Sequence, residues 1–262
     1  MARLQKLLLP DLVWNQESYG MLLLHYLQEK PRARWLDAGC GCRILSDGLE
    51  TLEDSAASEA RFVVGMDADC RSLTRHRNIG LRVCSSLDAI PFPDLSFDLV
   101  TCNMVVEHLV DPRQCFAEMA RVLAPGGIVV IHTPNLRNYM VFLNHTLGHV
   151  LPRSWVLRLI QAGEGRETDE VFHTFYRMNS VRRLRELAGD LRFCVEEEQI
   201  LPSPQPFFNW FLPLAFIQLL LMRLMALPFL RGLEATLLVA LRKTELSQTE
   251  SEAELSTDQP AA

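Results

Sequence analysis

The feature that most constrains this chain is the short apolar segment Arg34-Trp35-Leu36-Asp37, which runs at once into Gly39-Cys40-Gly41. A buried parallel strand entering a tight turn reads this way, because glycine takes a positive φ and lets backbone approach a ligand closely. A second such run, 62–66, closes on Asp67. Further strands are expected at 81–83, 97–102 and 128–132, the last after the turn Pro125-Gly126-Gly127. Helices are expected over 16–27, with Tyr19, Leu22, Leu23 and Tyr26 on one face, and over 69–77 and 112–123. Strands alternating with helices predict an α/β fold: a parallel sheet with helices on both faces and right-handed crossovers. Strand-like runs at 192–196 and 235–241 follow a stretch of helical and irregular character.

Such sheets bind ligands beyond the carboxyl ends of their strands, so strand-terminal residues are the candidates. Gly39 and Gly41 can admit a ligand to the backbone. The Asp67 carboxylate can accept hydrogen bonds from both hydroxyls of a ribose. Asp67 and Asp69 both precede a helical run, so either also suits a helix N-cap. A nicotinamide enzyme shares the strand, glycine and acid arrangement, but its fingerprint places a third glycine where this chain has Ile44.

Five blocks in order carry a resemblance: Asp37-Ala-Gly-Cys-Gly41, then Asp67, then Ile90-Pro-Phe-Pro-Asp-Leu-Ser-Phe-Asp98, then Glu107-His-Leu-Val-Asp-Pro112, then Leu123-Ala-Pro-Gly-Gly127. Together they resemble the class I S-adenosylmethionine-dependent methyltransferases. The resemblance implies a Rossmann-like, seven-stranded, mostly parallel sheet whose last strand is antiparallel. It implies S-adenosylmethionine as cofactor, with Asp37, Gly39 and Gly41 around its methionine end and Asp67 on its ribose. It places Ser86 and Leu87 near the adenine and Asn103 beside the cofactor. Arg43 stands where the family's loop has a third glycine and is expected to pair with the methionine carboxylate. Ser86 stands where an aspartate is usual.

Methyl transfer from a sulfonium relies chiefly on placing an acceptor in line with the methyl group, and an oxygen acceptor can also call for a base. His108, after the fourth strand, and His173, in the region that builds acceptor pockets, are the catalytic candidates. The Glu107-His108 pair has a plainer reading, in which it organises its loop and caps the next helix. His132 ends the fifth strand on the same rim.

The net charge of -6 is concentrated at the end of the chain, where Glu245, Glu250, Glu252, Glu254 and Asp258 stand with no basic residue. Without those five, 27 acidic residues face 26 basic ones. No basic stripe for nucleic acid is visible, so no nucleic-acid partner is expected. The seven cysteines make no disulfide framework, which favours a reducing, cytoplasmic setting. Cys40 and Cys42 lack a second ligand pair at suitable spacing, so no metal is expected. The N-terminal run Leu7 to Leu9 is too short for the apolar core of a secretory signal.

One methyltransferase domain is expected over 1–243, with a variable acceptor or lid region at 134–230 and an acidic disordered tail at 244–262. Within that region 207–230 is strongly apolar. The few residues between it and the last strand cannot recross a bilayer, so it reads as a lid or interfacial helix, against the domain core, a partner or a membrane surface. The expected activity is methyl transfer to a small or lipid-linked acceptor. The alternatives are a catalytically silent binding protein of the same fold, peripheral at a membrane, and an NAD-dependent oxidoreductase.

Overall fold

The computed structural model describes residues 15–150, 173–202 and 212–244, together with Leu9 and Val13. The expectations for the tail beyond Thr244, and for 151–172 and 203–211 within the variable region, fall outside the described residues. Seven strands form one sheet: β1 (Arg34–Ala38), β2 (Phe62–Asp67), β3 (Leu81–Cys84), β4 (Phe97–Asn103), β5 (Leu123–Pro134), β6 (Phe193–Leu201) and β7 (Thr236–Lys243), in the order β3-β2-β1-β4-β5-β7-β6. Neighbours from β3 to β5 pair in parallel, and β7 pairs antiparallel with both β5 and β6. β7 is thus the one strand reversed, as the resemblance implied.

Strand side chains alternate between faces, and the two faces bury different helices. Trp35, Leu99, Ile128 and Val130 pack with α1 (Asn15–Glu29), α2 (Glu50–Glu59) and α3 (Cys70–Thr74) through Tyr19, Leu23, Ala56 and Leu73. Leu36, Val100, Val129 and Ile131 face α4 (Pro112–Val122) and α6 (Val181–Asp190) through Phe116, Met119, Leu184 and Leu187. Both sides of the sheet are covered, which is why its central strands read as unbroken apolar runs.

The turn Pro125-Gly126-Gly127 proves to be a bulge inside β5. Leu123 pairs with Phe97, and the register then shifts to Leu99 with Ile128. Gly126 has φ +72°, and a Cβ on Gly127 would stand 2.9 Å from the Ala124 carbonyl oxygen. At the opposite end of the sheet from the strand carboxyl ends, Asp98 accepts bonds from the Arg34 amide and side chain and from Lys30 Nζ. Burial opposes its charge, but these donors hold it well below the usual carboxylate range. The last residue of the Ile90–Asp98 block is therefore a clasp between β1 and β4, remote from the glycine loop.

The remaining helices are α5 (Tyr139–Val150) and α7 (Leu212–Met225). Among the described residues no helix is long and apolar enough to cross a membrane. One expectation needs correcting: the fold brings Cys70 and Cys84 together in a disulfide, with Cα atoms 5.2 Å apart. The pairing is set by α3 returning to β3 beside β2, which the spacing of the cysteines does not reveal.

Candidate active site

The strands β1, β2 and β4 end side by side, and three backbone events shape the crevice beyond them. Gly39 turns with φ +77°, and its amide and that of Cys40 both donate to the Met66 carbonyl at the end of β2. A Cβ on Gly39 would lie 2.4 Å from Val105 Cγ2, so this glycine lets the loop pack against the exit of β4. Gly41, with φ +55°, is different: nothing lies within 4 Å of where its Cβ would be. One glycine closes a packing contact, and the other leaves space.

Asp67 is bonded to the same glycine. Its Oδ2 accepts from the Gly41 amide and its Oδ1 from the Asp69 amide, each at 2.8 Å. Two fixed donors orient the carboxylate while each oxygen keeps a second lone pair. The N-cap is Asp69 instead, which accepts from the Arg71 amide and Ser72 Oγ at the start of α3. The two readings of the aspartate pair are thereby divided between the two residues. The loop after β3 is tied to the same point, since the Ser85 amide donates to the Asp67 carbonyl at 3.0 Å. It carries Ser86, exposed, and Leu87, buried in the core.

Asp37 lies deeper than expected for a ligand contact. It is level with Thr101 across β1 and β4, accepts from Thr101 Oγ1 at 2.6 Å, and is 2% exposed. Trp35 Nε1 donates to the same hydroxyl at 2.8 Å. Burial raises the Asp37 carboxyl to about 7, against the Thr101 bond, with Glu53 and Asp67 adding to the rise. Its hydrogen bond to Thr101 runs inward, beneath the glycine loop. Arg43 is paired with Asp47, four residues on, and so has a partner within the protein.

Above Thr101 on the same face sits an amide pair. Asn103 Nδ2 donates to Gln16 Oε1 at 2.9 Å, and Gln16 Nε2 donates back to Asn103 Oδ1 at 3.0 Å. Asn103 also donates to the Ile44 carbonyl and has His132 Nδ1 at 2.9 Å from its Oδ1. Both amide hydrogens and both oxygen lone pairs are occupied. Asn103 therefore stands beside the crevice as a clamp joining α1, the glycine loop and β5. His132 is fully buried and stacks on Tyr19, and burial depresses it to about 4. Its Nε2 has no hydrogen-bond partner.

The other face of the rim holds the Glu107-His108 pair. Thr133 Oγ1 donates to Glu107 Oε2 at 2.9 Å, and Asn179 Nδ2 donates to that hydroxyl at 2.7 Å. The Glu107 carbonyl accepts the amides of Phe175 and Tyr176. Glu107 thus organises its loop, whereas Asp111 caps α4 by accepting from the Gln114 amide. Burial pushes the Glu107 carboxyl up to about 7. His108 Nδ1 lies 2.9 Å from the His173 carbonyl oxygen. A carbonyl only accepts, so Nδ1 carries the hydrogen and Nε2 of neutral His108 carries the lone pair. Glu107 Oε1 stands 4.0 Å from that Nε2. The fold brings His108 and His173 together, but His173 takes part through its backbone while its ring lies on Phe175. Gln16, Thr101 and Thr133 were not singled out as site residues by the sequence. They lie too far along the chain from their partners for any spacing to announce them.

Residues 36–131 match the model of a methyltransferase domain family. A protein of Mycolicibacterium smegmatis described as a probable S-adenosylmethionine-dependent methyltransferase is 38% identical over 104 residues, covering 38% of this chain and 37% of that one. A ubiquinone biosynthesis O-methyltransferase of Hahella chejuensis is 34% identical over 168 residues, covering 57% of this chain and 66% of that one. This chain thus spans less than two thirds of the length of these relatives. Among solved structures, the YcgJ protein of Bacillus subtilis superposes with TM-score 0.54 at 17% identity, over 87% of this chain and 99% of that one. A methyltransferase structure from Mesorhizobium loti gives TM-score 0.51 at 18% identity, over 86% and 98%. At these identities the structural likeness speaks for the fold.

Proposed function

We propose a function from one premise, that this chain carries a class I, S-adenosylmethionine-dependent methyltransferase domain: it transfers a methyl group to an oxygen of a small or lipid-linked acceptor. The observation that carries the proposal is the Asp67 carboxylate, held by the Gly41 and Asp69 amides, with open space where a Cβ on Gly41 would stand. A ribose diol matches its remaining lone pairs, and the space beside Gly41 admits backbone contact with the rest of the cofactor. In this reading Gly39 and Gly41 line the methionine end, Ser86 and Leu87 the adenine end, and Asp37 and Asn103 hold the loop from beneath and from the side.

The cofactor supplies an electrophilic methyl group on a sulfonium. The protein's part is to place the acceptor oxygen in line with it and to receive the acceptor's proton. His108 suits the second task, because the His173 carbonyl sets its tautomer with the lone pair on Nε2. His108 Nε2 would take the proton of the acceptor hydroxyl as that oxygen is methylated. Glu107, beside that nitrogen, then faces the imidazolium. An oxygen acceptor also agrees with the names of the ubiquinone-pathway relatives.

Isothermal titration with S-adenosylmethionine tests the reading. The wild type should release binding heat that Asp67→Ala abolishes. A wild type that releases none would leave a silent protein of the same fold.

A further inference from the structure

The outward face of α7 is apolar except for Arg223. Leu214, Phe216, Ile217, Leu220, Leu221 and Leu224 are exposed, while Ala215, Gln218, Leu219 and Met222 are buried against the domain. The surface continues past the helix through Leu227 and Phe229, the latter 79% exposed. Phe142 extends it on α5, whose first residues share a cavity with Gln218 and Met222. An ordinary amphipathic helix turns its apolar side inward. Here the buried side holds a glutamine beside Ala215, Leu219 and Met222, and the exposed side holds most of the leucines.

We infer that this face docks on the surface of an anionic lipid bilayer, with α7 lying in the plane of the interface. Two features select a bilayer over a protein partner. A protein interface carries a polar rim and on the order of ten direct hydrogen bonds. Among the exposed residues from Pro213 to Phe229, Arg223 is the one with a hydrogen-bonding side chain. A lipid surface asks for no such bonds from the face it covers. Charge points the same way, for the sequence holds no Asp or Glu between Glu198 and Glu234, and Arg223 and Arg231 are its only charged residues there. Apolar burial with flanking arginines is the pattern of an interfacial helix on anionic lipid.

Among the described residues the helix is too short for a span. The 14 residues of α7 extend about 21 Å at helical rise, against a hydrocarbon core of about 30 Å. The helix sits on the rim where acceptors reach the sheet, because the chain passes from it to β7, whose first residue, Thr236, pairs with Pro134 at the carboxyl end of β5. Docking is independent of the methyl-transfer reading. Joined to it, docking would let a lipid-linked acceptor reach the rim without leaving its membrane.

The test is flotation of the full chain, without cofactor, on phosphatidylcholine vesicles with and without about 30% phosphatidylglycerol, whose negative surface attracts basic residues. The wild type should float with the anionic vesicles and less with the neutral ones. The double variant Ile217→Asp, Leu224→Asp should lose at least roughly tenfold in partitioning, about 1.4 kcal/mol, with an unchanged melting temperature. Leu81→Asp, exposed on the distant strand β3, should float as the wild type does. A wild type that stays at the bottom, or a double variant that floats equally well, overturns the proposal. So does a wild-type dimer that the double variant dissociates without any flotation, which would assign the face to a second copy. Titration with S-adenosylmethionine reports the methyl-transfer reading separately, so either can fail alone.

Discussion

Gln16 and Asn103, 87 residues apart, meet as a reciprocal amide pair with bonds of 2.9 and 3.0 Å. Through it the N-terminal helix is fastened to the end of β4, and Asn103 passes the restraint on to the Ile44 carbonyl behind the glycine loop. Gln16→Ala leaves the part-buried Asn103 short of a donor and an acceptor. Denaturant titration should show a loss of about 1–3 kcal/mol. Binding of S-adenosylmethionine should weaken with it, although Gln16 makes no contact that requires the ligand.

The two glycines of the loop give a pair of variants that separates packing from binding. Gly39→Ala drives a methyl group into Val105 at a positive φ and should cost about 2–4 kcal/mol of stability. Gly41→Ala meets nothing in the protein, so its cost should be limited to the left-handed backbone, about 1–2 kcal/mol. Its cofactor affinity should nevertheless fall at least roughly tenfold, about 1.4 kcal/mol. A folded Gly41→Ala protein with undiminished affinity would mean that the cofactor does not use this space.

The buried acids set a pH dependence. Asp37 and Glu107 both have carboxyls raised by burial to about 7, as does Glu234. Each binds its proton more tightly in the folded protein. The stability each contributes is therefore complete below the unfolded carboxylate range and is lost as pH rises towards 7. His132 runs the other way. Depressed to about 4, it contributes stability above the ordinary histidine value that is lost as pH falls through about 4. Burial depresses His76 to about 4 as well, so three acids oppose two histidines, and thermal melts from pH 5 to pH 8 should show falling stability. Glu107→Gln, which keeps an acceptor for Thr133, should make the decline shallower; an unchanged slope would mean that Glu107 titrates normally.

Cysteine chemistry can be counted directly. The structure pairs Cys70 with Cys84 and leaves Cys40, Cys42, Cys102, Cys115 and Cys194 free. Protein purified without reductant and unfolded should therefore titrate five thiols, and seven after reduction. Seven before reduction would show the pair to be open in solution.

What the sequence made legible follows from burial. Strands covered on both faces announce themselves as apolar runs, and β1, β2 and β4 appear within a residue of where they were expected. β6 proved longer than its reading, since its second half, rich in glutamate and glutamine, carries little apolar signal at the edge of the sheet. Helix α2 was not anticipated, because it buries only Glu53 and Ala56. At the site, the local features could be read: a glycine loop, an acid ending a strand, a histidine after another strand. The clamps could not. Thr101 on Asp37, Thr133 on Glu107 and Gln16 on Asn103 each join residues from different elements, and only the folded sheet makes them neighbours.

The place of β7 has a consequence for how the chain is made. Though last in sequence, it fills the slot between β5 and β6. While the protein is being synthesised, both of those strands must wait with a bare hydrogen-bonding edge, and Leu237, Val239 and Leu241 are missing from the core they will complete. A chain stopped before residue 236 should thus hold a sheet that is open down its middle, and the arrival of β7 is the event that closes it.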